Sequence, residues 1–137
     1  MYGQLGPAMH AILRIGAGLL FTEHGLQKLF GVMGGAGGQG QTVLLMSQMG
    51  LAGVLEFAGG LLLIVGLATR PVAFILMCEM IAAYVIAHLP RGGWPVQNQG
   101  ELALLYAFIF AFLVGNGAGP VSIDQALRGR TRRTVPA

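Results

Sequence analysis

Four long apolar runs, each carrying one glutamate, constrain this chain more than any other feature. The runs cover about residues 8–30, 48–68, 71–89 and 100–115 and hold Glu23, Glu56, Glu79 and Glu101 in turn. Each run comes close to the ~20 residues that span the ~30 Å hydrocarbon core of a bilayer. The pattern predicts an all-α protein, a four-helix transmembrane bundle. A carboxylate at mid-depth costs about 2.5–3.5 kcal/mol on insertion scales, so such groups normally face a protein interior or a wet cavity. The helices are therefore expected to surround something polar.

Composition agrees with a lipid-facing surface. The chain is 55% hydrophobic and 9% charged, whereas soluble domains carry about 25% charged residues. One helical domain takes up residues 1–137, with no room for a second. The 23 glycines suit close approach of membrane helices. The first run begins near Pro7 without a basic flank, so it reads as a retained helix and not a cleaved signal. The one cysteine, Cys78, reads as a small core residue, and with no C-x-x-C pair dithiol exchange within one chain is excluded.

Punctuation between the runs sets the topology. The short link Thr69–Arg70–Pro71 makes the second and third helices antiparallel neighbours. The segment Gly35–Gly40 spells G-x-G-x-x-G, but no strand precedes it, so it reads as an outer loop and not a dinucleotide site. Trp94, in the loop before the fourth run, suits the headgroup level. The fourth run is short, which calls for local thinning or an earlier helix start. Arg128, Arg130, Arg132 and Arg133 make a basic tail over 117–137. It is expected to lie beside anionic headgroups and not on nucleic acid. With Arg14 and Arg70 these make six basic residues on one side against Lys28 and Arg91 on the other. The bias puts both termini in the cytoplasm.

Helical phase and depth, at ~100° and ~1.5 Å per residue, sort the polar groups. Glu56 shares a face with Gly53, Gly59, Gly60 and Leu63, and Glu79 shares one with Ala82, Ala83 and Ile86. Both faces are suited to packing against other helices. Arg14 and Glu79 come out at similar depth, so a structural ion pair is expected between them. Glu23, His24, Lys28, Glu56 and Glu101 fall in the outer half, and they are expected to line one outward-opening cavity. Lys28 is expected to compensate Glu101, leaving Glu56 without a cation. Glu101 also suits the first turn of a helix, where negative charge is favourable. His24 and His88 lie at comparable depth and could bracket a haem, but His88 faces away from the Glu79 side, which argues against one. No Glu-x-x-His pair is present, so no metal site is assigned.

Several stretches together resemble the DoxX family of small membrane proteins. They are Arg14, Gly18, Phe21, His24, Gly25 and Lys28; Glu56, Gly59 and Gly60; Gly66-Leu-Ala-Thr-Arg-Pro71; Gly100-Glu101 with Leu104-Leu105-Tyr106; and Gly117-Ala-Gly-Pro-Val-Ser-Ile-Asp124. The last has proline where the family commonly has a basic residue. The resemblance runs from about Ala11 to Leu127. It implies an integral protein of the bacterial plasma membrane. Relatives include the membrane subunit of a thiosulfate:quinone oxidoreductase, and others are linked to redox or oxidative-stress assemblies. Two functions follow. One is an accessory or anchoring subunit of a larger redox-linked membrane complex with other protein subunits as partners, since no redox centre of its own is visible in the sequence. The other is a quinone-binding oxidoreductase subunit. In that reading Glu23, Glu56 and Glu101 relay protons, and His24, Lys28 and Tyr106 donate to the cofactor.

Overall fold

A computed structural model describes Gly3 and residues 5–133. The elements are α1 (Leu5–Phe30), α2 (Gln48–Val65), α3 (Thr69–Ala83), α4 (Pro95–Asn98), α5 (Glu101–Asn116) and α6 (Ile123–Arg133). No strand occurs among the described residues; the only β-type pairing is an isolated bridge between Gly35 and Gln41. Three helical stretches, Leu5–Phe30, Gln48–Val65 and Thr69–Arg91, are long and apolar enough to cross a membrane, and Glu101–Asn116 is a shorter apolar helix. The side chains of Arg130, Arg132 and Arg133, which carry much of the topological bias, lie outside the described residues, as does the tail from 134 on.

Small residues decide which helices meet. A β-carbon on Gly18 would come 2.8 Å from the Gly60 carbonyl, and one on Gly25 would strike the Phe57 backbone at 2.6 Å. α1 therefore packs on α2 at nearly backbone distance. α3 packs on α5 instead, through a core of Ala73, Leu76, Met80, Ala103, Ala107 and Phe110. Phe21 joins the two pairs: its ring meets Tyr106 and Phe110 edge-on, each with centroids 4.8 Å apart.

The link between α2 and α3 departs from expectation. α2 stops at Val65 because Gly66 adopts φ 67°, and the N–H groups of Gly66 and Leu67 turn back to the carbonyls of Leu63 and Leu62. This is the Schellman C-cap, which glycine takes without a β-carbon penalty. α3 starts at Thr69, so Pro71 sits in its first turn, where a missing N–H costs nothing. Ala68 precedes it in a left-handed conformation, φ 50°. Its strain is offset from far along the chain. The Asp124 carboxylate accepts the N–H groups of Ala68 at 2.8 Å and Thr69 at 2.9 Å, and so caps α3 from outside.

Arg14 holds the same end from the other side. Its side chain is fully buried. The guanidinium donates through Nε to the Ala118 carbonyl (2.8 Å), through Nη2 to Val121 (2.8 Å), and through Nη1 to Ile64 (2.8 Å) and Leu63. Leu63 and Ile64 are in the last turn of α2, where carbonyls lack a continuing helix to bond to; the Leu63 carbonyl is shared with the Gly66 N–H. Val121 is itself left-handed, φ 56°, which presents its carbonyl to Arg14.

Two further segments differ from the sequence reading. The tail from Ile123 folds as α6 and docks through Asp124, whose N–H also reaches the Gly66 carbonyl at 2.9 Å. The fourth apolar helix does not start early. α4 is a separate turn, and Gln99 at φ 59° breaks it from α5. α5 spans 16 residues, about 24 Å at 1.5 Å per residue.

Two measurements test this end of the molecule. Arg14→Met should abolish accumulation or cost at least ~3 kcal/mol, because each buried carbonyl left without a donor costs about 1–3 kcal/mol. Arg14→Lys should not restore it, since a lysine lacks the planar fork. Thermal unfolding in detergent reads both. Asp124 supplies the pH test. Burial pushes its carboxyl up, but the N–H groups of Thr69 and Ala68 and the nearby Arg128 outweigh this and hold it below the ordinary carboxylate range. Its contribution is thus fully present at neutral pH and lost as pH falls through that lowered range. Asp124→Asn should unfold at a lower temperature than wild type at pH 7, by the ~1 kcal/mol of a lost cap, and the gap should close below about pH 4.

Candidate functional site

Three charged side chains gather between α2 and α3, in the half remote from Asp124 and the α2–α3 link. Here the two helices enclose a groove of about 560 Å³, within the range that takes drug-sized ligands. Its walls are mainly apolar, including Leu51, Leu55, Phe74 and Ile86, and three charged side chains reach into it: Lys28, Glu56 and Glu79. Glu56 is 3% exposed. Its Oε1 accepts from Lys28 Nζ at 2.5 Å, an ion pair between α1 and α2. Its Oε2 is buried and has no hydrogen-bond partner. Both oxygens of Glu79 are also buried and unpartnered.

The pair follows from how helical side chains lean. Each Cα–Cβ bond tilts toward its own helix N-terminus. Lys28, near the C-terminal end of α1, therefore leans deeper into the bundle. Glu56, on antiparallel α2, leans back toward the end where Lys28 lies. Depths taken at the backbone overstate their separation. The phase reading stands for Glu56, which is buried with Gly53, Gly59, Gly60 and Leu63, but the Glu79 face does not pack as expected: Ala82, Ala83 and Ile86 line the groove, with Ala82 and Ile86 exposed.

The expected partners are exchanged. Arg14 does not pair with Glu79, because its guanidinium is spent on four backbone carbonyls and α1 lies against α2 instead of α3. Lys28 serves Glu56 and not Glu101. Of the two groove carboxyls, the one left without a cation is Glu79.

Nor do the five outer residues share one cavity. Glu23 is exposed on α1. His24, one turn before Lys28 on α1, is half-buried and does not line the groove; its ring lies 6.3 Å from those of Phe21 and Tyr106. Tyr106 is 5% exposed and stacks on Phe110, so it belongs to the aromatic core. Glu101 lines a wider, open groove of about 810 Å³ against α4 and α5, where it is the only charged residue. Cys78 is exposed and borders the α2–α3 groove, so it is not a core residue.

The other histidines are structural. His88 Nδ1 lies 3.0 Å from the Asn98 carbonyl, and its ring stacks on Tyr84. Asn98, 1% exposed, donates to the Gly92 carbonyl at 2.8 Å and accepts the Gly100 N–H at 2.8 Å, which holds the turn into α5. His10 Nε2 lies 3.0 Å from the Gly117 carbonyl. No cluster of three metal-ligating side chains occurs among the described residues.

The DoxX family pattern matches residues 9–89, from within α1 to six residues beyond α3. The chain belongs to the DoxX family. Among its relatives, an uncharacterized protein of Haemophilus influenzae is 42% identical over 126 residues, covering 87% of this chain and 90% of its own length. An uncharacterized membrane protein of Mycobacterium tuberculosis is 27% identical over 138 residues, covering 91% of this chain and 85% of its own. No solved structure matches the chain. The matched DoxX segment contains all three charged groups of the groove, and Arg14 as well. The carbonyls of Ala118 and Val121 and the Asp124 cap lie beyond it, in the part that the Haemophilus relative also covers in large measure.

The ion pair makes its own test. Lys28→Met leaves Glu56 buried without its cation and should cost about 3–5 kcal/mol, whereas Lys28→Met with Glu56→Leu should recover most of that loss. Unfolding of the two variants and wild type in one detergent would decide; equal loss in both would mean that the pair is not the source of the effect.

Proposed function

We propose that this DoxX-family protein is a membrane-embedded accessory subunit of a redox-linked complex, and that it contributes a groove for the head of a quinone-class ligand. The observation that carries this is the α2–α3 groove: apolar walls at membrane depth around a buried Lys28–Glu56 pair and an unpartnered Glu79. Intramembrane ionisable residues that border a cavity mark substrate or proton paths by default. A quinone head needs an apolar slot, a polar group near its oxygens and a place for protons. Phe74, Leu55 and Ile86 suit the ring and the first units of the tail. Lys28 Nζ can donate to a head-group oxygen, and the Glu79 carboxyl can take or give a proton within the groove. The electrons belong to a partner subunit.

In this reading the end that carries α6 is cytoplasmic, and the groove lies in the outer half of the bundle, in the bacterial plasma membrane. Glu23, His24, Tyr106 and Glu101 have no part in it. A second reading, a purely anchoring subunit, draws support from Arg14 and Asp124. These residues of the family resemblance serve the fold alone.

Ligand retention separates the two. Protein purified in mild detergent from native membranes should release an isoprenoid quinone into organic solvent, near one per chain by mass spectrometry. Ala82→Phe, which fills the groove and spares its charges, should lower the yield at least tenfold without changing the unfolding temperature. A wild-type preparation free of quinone that still co-purifies with its partner subunits would leave anchoring as the function.

A further inference from the structure

We infer that the groove selects the reduced, hydroxyl-bearing form of its ligand's head over the oxidised form that carries only carbonyls. The inference rests on the ligand reading above and comes from the hydrogen-bond inventory of the groove. Three carboxyl oxygens of residues that line it, Glu56 Oε2 and both oxygens of Glu79, are buried and accept nothing among the described residues. Glu56 is 97% buried, from its 3% exposure, so solvent does not serve Oε2. On the donor side stands Lys28. An ammonium has three N–H bonds, and one is directed to Glu56 Oε1. Gln48 at the mouth brings a donor and an acceptor together and leaves the balance unchanged. A proton on Glu79 would turn one acceptor into a donor, and acceptors without partners would still remain.

The two forms of the head differ in just this respect. An oxidised quinone head offers only acceptors, which would compete with the carboxylates for Lys28 and leave them bare. A reduced head offers two O–H donors, and each can be directed at a carboxyl oxygen that nothing else satisfies. Sites built around hydrogen bonds to a hydroxyl discriminate strongly against analogues that lack it, by factors up to about 10⁴–10⁵. A tenfold preference for the reduced form would raise the potential of the bound two-electron couple by about 30 mV.

The test uses full-length protein, stripped of co-purified lipid and held in detergent, with calorimetric titration of two probe pairs. The first pair is 5-dodecylresorcinol and its dimethyl ether, which share a tail and differ in two donors without redox chemistry. The second is decylubiquinol and decylubiquinone, titrated without oxygen. The hydroxyl-bearing member of each pair should bind at least tenfold more tightly, and Glu79→Leu should bring the two members within about twofold. Equal affinity, or tighter binding of the donor-free members, overturns the selection and leaves the quinone site standing. Failure of all four probes to bind overturns both. The wild-type comparison decides the matter even if Glu79→Leu does not fold.

Discussion

A single buried cation organises this molecule. Arg14 lies inside the bundle with no carboxylate in hydrogen-bond contact, and its donors end on four backbone carbonyls from two distant segments. An isolated charge there would be prohibitive. It is tolerable because it is surrounded by acceptors: the last carbonyls of α2 and those of a strained turn after α5. The acid whose charge bears on it is Asp124, which is engaged in capping α3. A positive group thus closes the C-terminal end of one helix and a negative group closes the N-terminal start of the next. Each sign matches the helix dipole it meets.

The groove follows from that closure. α2 and α3 are joined at one end by Gly66–Ala68 and held there by Arg14 and Asp124. Each then finds its main packing partner elsewhere, α2 against the glycines of α1 and α3 against α5. Toward the other end nothing fills the space between them, and Lys28, Glu56 and Glu79 border it. The two ends handle charge in opposite ways. At the link end Arg14 donates to backbone carbonyls, and the Ala68 and Thr69 N–H groups donate to the Asp124 carboxylate. In the groove, three buried carboxyl oxygens have no hydrogen-bond partner among the described residues.

Much of this was legible in the residues. The four apolar runs became helices, and the glycine face of Glu56 is buried against its neighbours as its phase required, whereas the alanine face of Glu79 borders an open groove. Period and residue size carry that information locally. Pairing was not legible. The ion pair expected between Arg14 and Glu79, and the cavity expected around Glu23, His24 and Glu101, rested on matching depths. Depth says which groups lie at one level of the membrane and nothing about which helices are neighbours. The signal that could have found the Lys28–Glu56 pair was present: both side chains lean toward each other on antiparallel helices. Gly66 likewise announced the end of α2 ahead of Pro71.

The sequence by itself determined the solvent, the secondary structure and the inward faces. Hydropathy, helical period and glycine placement act over a few turns, and no distant residue is needed to read them. Only the tertiary structure decided who neutralises whom. The Asp124 cap on α3 joins residues 55 and 56 positions apart, and Arg14 reaches Val121 across 107. Backbone carbonyls and N–H groups are the same in every residue and leave no mark in the sequence. Their availability depends on where helices end and which ends meet. That choice sent Arg14 to the backbone and Lys28 to Glu56, and left Glu79 facing the groove alone.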